Sequence, residues 1–307
     1  MKKKISSKKA AWIAIAVTLV VVIAVLAGVY WYVPRYYLGK DEFDISQKPV
    51  TEEITALSFN IRYNAAEDKG KKDWKARAPL VVRVISELQP DVIGFQEVQT
   101  IHETYLKKHL AGYRFFVMYR TSNAEKEGVM IAYRSDRFET EKEGGFWLSP
   151  TPDVMSRYED MDNNRTVAYA KLVDKKTNKS FAIVDTHLDN ASEEVREKSI
   201  GVILEQKEKL GIDTVILMGD MNDDKDSPMY KKATESGLTD AKTIAAERYD
   251  GPGSTFQKFG LRLNETPIDF FFVSPTMTVS SYAVFDKTYD GAYPSDHFPI
   301  VIRITLL

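Results

Sequence analysis

None of the 307 residues is a cysteine, which excludes disulfides, thiolate nucleophiles and thiolate metal sites. Any bound metal must therefore rest on oxygen and imidazole donors, a set suited to Mg²⁺, Mn²⁺ or Ca²⁺. Histidine is scarce, at four residues. From residue 55 onward there is no repeat of fixed period and no low-complexity linker. Excess positive charge is missing from most of the chain. Seven of its 42 Lys and Arg fall in residues 1–40, where there is no acid, and the other 35 face 44 acids, a net of −9. That balance argues against gripping long nucleic acid through a broad basic face, but leaves room for a protein that meets a single phosphate at a metal.

Long apolar runs are also absent, with one exception. Lys2, Lys3, Lys4, Lys8 and Lys9 precede an uncharged stretch of 24 residues, 10–33, which ends before Pro34 and Arg35. As a helix with some tilt it reaches across a hydrocarbon core of about 30 Å, and Trp12, Tyr30, Trp31 and Tyr32 suit the two interfaces. A cleaved signal peptide would usually have a shorter apolar region of about 7–15 residues and a small-x-small site after it; Val25-Leu26-Ala27 fits that site poorly. The expectation is a basic cytoplasmic tail over 1–9, a transmembrane anchor over 10–33, a linker over 34–52 and one domain over 53–307. The lysines place the N-terminus in the cytoplasm and the domain outside the cell membrane, as a single-pass protein.

Within that domain, strand and helix signals alternate. The patterns predict strands at 54–61, 91–95, 113–119, 129–133, 167–173, 181–186, 215–218, 268–273, 279–284 and 300–304. Helices are expected over about 74–88, before Pro90, and from an N-cap at Ser192 to about Leu210. His102 and His109 fall in a polar, helical stretch and read as surface residues. Many strands, with too few helices for one crossover each, give an α/β fold: a four-layer sandwich of two packed mixed sheets flanked by helices.

The polar residues collect where the apolar runs stop. Ser58-Phe59-Asn60, Gly94-Phe95-Gln96-Glu97, Asp185-Thr186-His187-Leu188-Asp189, Gly219-Asp220-Met221-Asn222, Ile268-Asp269-Phe270 and Ser295-Asp296-His297-Phe298-Pro299 form six such clusters. Asn, Glu, Asp and His at six strand ends are what a metal-assisted site assembled across a sheet requires. Singly, each has a plainer reading: Asn60 as a loop cap, Glu97 as a solvated acid, Asp220 and Asn222 as a turn, Arg165 as an exposed loop arginine. Asp220 and Asn222, two apart after a strand, would point the same way in an extended segment.

In this order the clusters resemble the endonuclease/exonuclease/phosphatase superfamily, across essentially all of 55–307. The resemblance implies a metal-dependent phosphoester hydrolase using Mg²⁺, or Mn²⁺, with Ca²⁺ also open. It makes Glu97 the principal metal ligand, with Asn60 orienting it and Asp296 contributing. Asp220 and Asn222 would align or deprotonate the attacking water, Asn222 also contacting a phosphate oxygen. His187 and His297 would stabilise charge on the scissile phosphate, Asp269 holding the His297 ring, and Arg165 would bind substrate. Tyr113, Thr255 and Phe256 are weaker substrate-side candidates. Some members have a carboxylate two residues after the first Asn; here Arg62 stands there, which disfavours a second metal site and suggests an ion pair. The expected substrate is a phosphodiester, in a nucleic acid, lipid headgroup or small phosphate ester. A phosphomonoesterase, a lipid-headgroup phosphodiesterase and an idle binding domain on the same fold are the alternatives. No protein partner is implied.

Overall fold

The structure, a computed structural model, describes residues 7–38, 48–123, 126–261 and 266–307; in its first helix only the side chains of 8, 12 and 15–28 are described. The chain divides into two units at about residue 42. In the first, Ser7–Leu38 is a single helix of 32 residues, and the apolar side chains described along it are exposed, Trp12 at 72% and Leu26 at 62%. Among the described residues no helix is long and apolar enough to cross a membrane. The span expected over 10–33 lies partly outside the described side chains, as do residues 1–6 of the tail and 39–47 of the linker.

The second unit packs two mixed sheets, with helices on their outer faces. One has seven strands, in spatial order Glu247–Tyr249, Met277–Val284, Ile300–Leu306, Ile54–Asn60, Val92–Gln99, Glu127–Arg134 and Tyr113–Tyr119. The other has six: Phe138–Trp147, Thr166–Asp174, Lys179–His187, Val215–Asp220, Asp269–Val273 and Thr239–Asp240. The apolar runs are explained by burial on both faces. In Val215–Asp220, Ile216 and Met218 join the cluster between the sheets, with Ile54, Ile131, Phe271 and Ile302. Val215 and Leu217 face the opposite cluster, with Ile200, Ile203 and Met229 from the covering helices. Each such side chain contributes about 1.5–3 kcal/mol on full burial.

Helix Trp74–Leu88 starts at Asp73, whose carboxylate accepts from the Lys75 N–H, and ends at Gln89 with φ 44°, just before Pro90. Glu193–Lys209 is capped by Ser192. Phe138–Trp147 was not expected as a strand. It lies at a sheet edge, so most of its side chains are solvated and only Phe138 and Phe146 are buried. His102 is not on the surface. It is buried against Trp74, ring centroids 4.1 Å apart, because its Nδ1 accepts the Gln99 N–H and folds the ring under the start of helix Thr100–His109.

Two central parallel pairs place the polar clusters. Ile54–Asn60 runs beside Val92–Gln99, and Lys179–His187 beside Val215–Asp220. Parallel strands end on the same side, so Asn60 and Glu97 from one sheet and His187 and Asp220 from the other emerge together. Asp220 is the register partner of His187 on one side and of Asp269 on the other.

Candidate active site

Glu97 and Asn222 reach the cleft through local departures from regular backbone, and a glycine of unusual φ precedes Asp220. Pairing between Val92–Gln99 and Glu127–Arg134 is broken between Phe95 and Val98, and Glu97 there has φ 62°. A bulge re-aims one side chain, and Glu97 turns towards the cleft. Gly219 has φ 145°, and a Cβ there would stand 1.9 Å from the Thr186 carbonyl oxygen; only glycine lets the two strands close before Asp220. Asn222 has φ 51° and donates its N–H to Asp220 Oδ1 at 3.0 Å. The segment after Asp220 is therefore a turn, not the extended stretch expected, because the Asp220 carboxylate captures that N–H. Its Nδ2 binds the Leu188 carbonyl at 3.0 Å, and Asn222 still lines the cleft.

The cleft has a volume of about 990 Å³. At its floor Asp220 Oδ2 lies 3.6 Å from His187 Nε2 and 3.6 Å from His297 Nε2. The other His297 ring nitrogen, Nδ1, is 2.9 Å from Asp269 Oδ2. Burial favours the neutral form of His297, but Asp269 and Asp220 outweigh it and raise the imidazole to about 10. His187 goes the other way: burial, then Arg165, keep it neutral. Burial and the Asp269 charge push Asp220 up to about 7. Two histidines on one carboxylate are thus held in different charge states, His187 neutral and His297 a cation.

Asn60 joins this centre to the acids. Its amide nitrogen donates to Asp220 Oδ2 at 2.9 Å and to Glu97 Oε1 at 3.1 Å, and its oxygen accepts the Arg62 N–H at 3.0 Å. Glu97 Oε2 accepts the Tyr63 N–H at 2.8 Å. Ser295 Oγ donates to the Asn60 carbonyl at 2.7 Å, fixing the segment that carries Asp296. Burial raises the Asp296 carboxyl against the pull of His297, and Glu97 adds to the rise.

A divalent cation fits Glu97 and Asp296. They are hard oxygen donors facing one cleft, and the field each exerts on the other is relieved by added positive charge. Of this pair the Asn60 amide nitrogen holds Glu97, and the Asn60 oxygen is taken by the Arg62 N–H. Asp220, Asp269 and His297 also bring ligand atoms within 4.8 Å of one another. There a cation would compete with the proton on His297.

Arg165, expected to bind substrate and otherwise read as an exposed loop arginine, is buried. Among the described residues its guanidinium makes one hydrogen bond, to Asn190 Oδ1 at 3.2 Å, and its Nε has no partner. An unpaired buried donor at a cleft wall suits an anion. Arg62 pairs with Asp68 at 3.1 Å, Glu67 at 3.2 Å and Asp296 at 3.6 Å, the ion pairing expected of it. Thr255 Oγ1 accepts the N–H groups of Ile268 and Asp269, and the Phe256 ring lies 5.1 Å from that of His297. Tyr113 does not reach the site: it bonds the Pro90 carbonyl at the opposite end of its sheet, because the chain enters the strand there. Arg120 and Glu127, paired at 2.9 Å in the cleft wall, escaped the sequence reading. Their one signal was opposite charge across a hairpin.

Two packed mixed sheets, with an Asp-His-Asp relay and a separate pair of acids at one common edge, define a phosphoesterase-type scaffold. A model of the endonuclease/exonuclease/phosphatase family matches residues 57–297, and the chain belongs to that family, whose enzymes are generally phosphoester hydrolases using divalent metals. An endonuclease/exonuclease/phosphatase family protein from Bacteroides thetaiotaomicron is 30% identical, covering 83% of this chain and 98% of that one, with a TM-score of 0.77. The mannosyl-6-phosphatase Bt3783 of the same organism is 29% identical, with 82% and 100% covered and a TM-score of 0.77. The mimivirus protein L388, of Acanthamoeba polyphaga mimivirus, is 26% identical over 248 residues, 75% of this chain and 91% of that protein.

Proposed function

We propose that this chain hydrolyses a phosphate ester by in-line attack of water at the Asp220 centre. The observation that carries this reading is Asp220 Oδ2 standing 3.6 Å from the Nε2 atoms of both histidines. Water held by Asp220 gives up its proton to that carboxylate while its oxygen bonds to phosphorus. The alkoxide leaves on the far side and takes a proton from solvent. His297, as a cation, and His187, as a neutral Nε2–H donor, stabilise charge on the phosphoryl oxygens. Asp269 keeps the His297 ring oriented, and Asn222 borders the path of the water. Arg165 gives a buried cation to a phosphate oxygen. Glu97 and Asp296 would hold a Mg²⁺ or Mn²⁺ ion, which supplies Lewis-acid neutralisation of phosphate charge. Arg62 already places a cation among Asp68, Glu67 and Asp296, which favours one metal ion per chain over two.

Two features move the preferred substrate from the phosphodiester expected of the sequence to a phosphomonoester. The mannosyl-6-phosphatase is alike over its full length. A monoester dianion also suits a cleft that offers both the His297 imidazolium and the Arg165 guanidinium. The diester is the second reading, carried by the motif resemblance, in nucleic acid, lipid headgroup or small ester. The test compares p-nitrophenyl phosphate with bis-p-nitrophenyl phosphate, using residues 41–307 with Mn²⁺, with and without excess EDTA. Chelator-sensitive hydrolysis is expected, with kcat/KM at least ten-fold higher on the monoester, and metal analysis should return one ion per chain. Diester preference restores the second reading; undiminished turnover in EDTA removes the metal from the mechanism.

The N-terminal helix is proposed as a membrane anchor with the catalytic unit outside. Its support is the uncharged run 10–33 after five lysines and the exposure of the apolar side chains described along it. Protease added to intact cells is expected to remove the catalytic unit, and its survival beside a digested surface control would overturn this topology.

A further inference from the structure

Arg77 is fully buried, yet among the described residues its guanidinium meets no carboxylate at ion-pair distance. Its partners are five main-chain carbonyl oxygens: Ile61 at 2.6 Å, Lys72 at 2.7 Å, Arg62 at 3.1 Å, Pro294 at 3.2 Å and Tyr63 at 3.4 Å. These belong to three stretches of chain: the segment leaving strand Ile54–Asn60, the turn before helix Trp74–Leu88, and the segment that leads to Asp296. A planar fork of five donors can span them. A neutral side chain could bond some of the carbonyls without countering the acids beyond.

The clamped atoms sit one step from the candidate metal ligands. The Tyr63 N–H donates to Glu97 Oε2, and the Arg62 N–H to Asn60 Oδ1. Pro294 precedes Ser295, which ties the Asp296 segment to the Asn60 carbonyl. Arg62 itself has φ 56°, a left-handed conformation that costs free energy and persists only where its surroundings impose it. Two of the five bonds, to the carbonyls of Arg62 and Tyr63, do so. Burial weakens the Arg77 charge, and the fields of Asp296, Asp68 and Glu97 oppose that loss. The acids and the buried cation therefore stabilise each other across the clamped backbone.

We propose that Arg77 is a positioning residue for the divalent cation, acting through the main chain of residues 61–63 and 294 to set Glu97 and Asp296 at ligand spacing. The inference rests on the proposed seat of the metal at Glu97. It is tested by calorimetric titration of Mn²⁺ into the full chain in detergent, for the wild type, Glu97→Gln, Arg77→Met and Arg77→Lys, with thermal melts to establish that each is folded at the titration temperature. Arg77→Met is expected to bind Mn²⁺ at least ten-fold more weakly. Arg77→Lys keeps the charge on a single ammonium that reaches at most three carbonyls, and is expected to be three- to five-fold weaker. A purely structural arginine would lower Tm in both variants without moving Kd, and Kd values within 1.5-fold of wild type, beside a loss in Glu97→Gln, overturn this inference alone. If Arg77→Met does not fold, Arg77→Lys decides by the same limit. Absence of Mn²⁺ binding by the wild type, or normal binding by Glu97→Gln, overturns the metal seat and this inference with it.

Discussion

Replacing His297 by alanine is expected to lower kcat about 10³-fold with little change in KM, the scale measured for a lost acid–base or charge-stabilising group. The cation is made by its neighbours. Asp269 at 2.9 Å and Asp220 at 3.6 Å hold the imidazole protonated up to about 10 against burial. Asp220 must be ionised to accept a proton, which it is above about 7. The profile of kcat/KM should therefore be a bell, rising through about pH 7 and falling near pH 10, with both limbs belonging to the coupled site. Asp269→Asn makes the prediction sharper. Loss of that negative charge lowers His297, so the falling limb moves to lower pH. The same loss removes the repulsion that raises Asp220, so the rising limb moves in the same direction. A profile whose limbs stay put, or move apart, would show that Asp269 does not set these charges.

Asp220→Asn is expected to lower kcat by about 10³–10⁴, the scale for losing an essential proton acceptor that also orients its neighbours. Asparagine keeps the shape but has one acceptor oxygen where Asp220 has two, so it can take either the Asn222 N–H or the Asn60 amide; with the outline of the site unchanged, KM should move less than three-fold. Stability should move the other way. The Asp220 carboxyl lies at about 7 in the folded chain against about 3.9 unfolded. A group raised by folding contributes stability below its unfolded value and loses it as pH rises, here across roughly pH 4 to 7. At pH 8 the wild type carries that full cost and the Asn variant does not, so its Tm should be higher. A lower Tm at pH 8 would contradict the crowding of charge assigned to this site. The expected pattern, stability gained where activity is lost, is common at sites built for chemistry.

Much of the architecture was legible because burial on two faces writes itself into sequence. Val215–Met218 and Phe270–Val273 are apolar throughout, since the sheets pack on one side and helices on the other. The polar clusters were legible for the same reason, as interruptions at the ends of such runs. Phe138–Trp147 was not, because an edge strand needs no continuous apolar face. His102 was misplaced because a capping hydrogen bond, invisible in composition, outweighed the polarity of its helix.

The sequence by itself determined which side chains could take part: no thiolate, a few histidines, and acids and amides at strand ends. It also determined that two sheets would bury their runs against each other. Only the tertiary structure decided where those side chains point. Glu97 enters the cleft through a bulge at φ 62°, Asn222 closes a turn instead of extending, and Arg77 gathers carbonyls more than 200 residues apart in the chain. Glu97 and Arg77 depend on hydrogen bonds whose partners come from other segments, and the Asn222 turn on one from Asp220 two residues before it; periodicity records burial rather than such pairings.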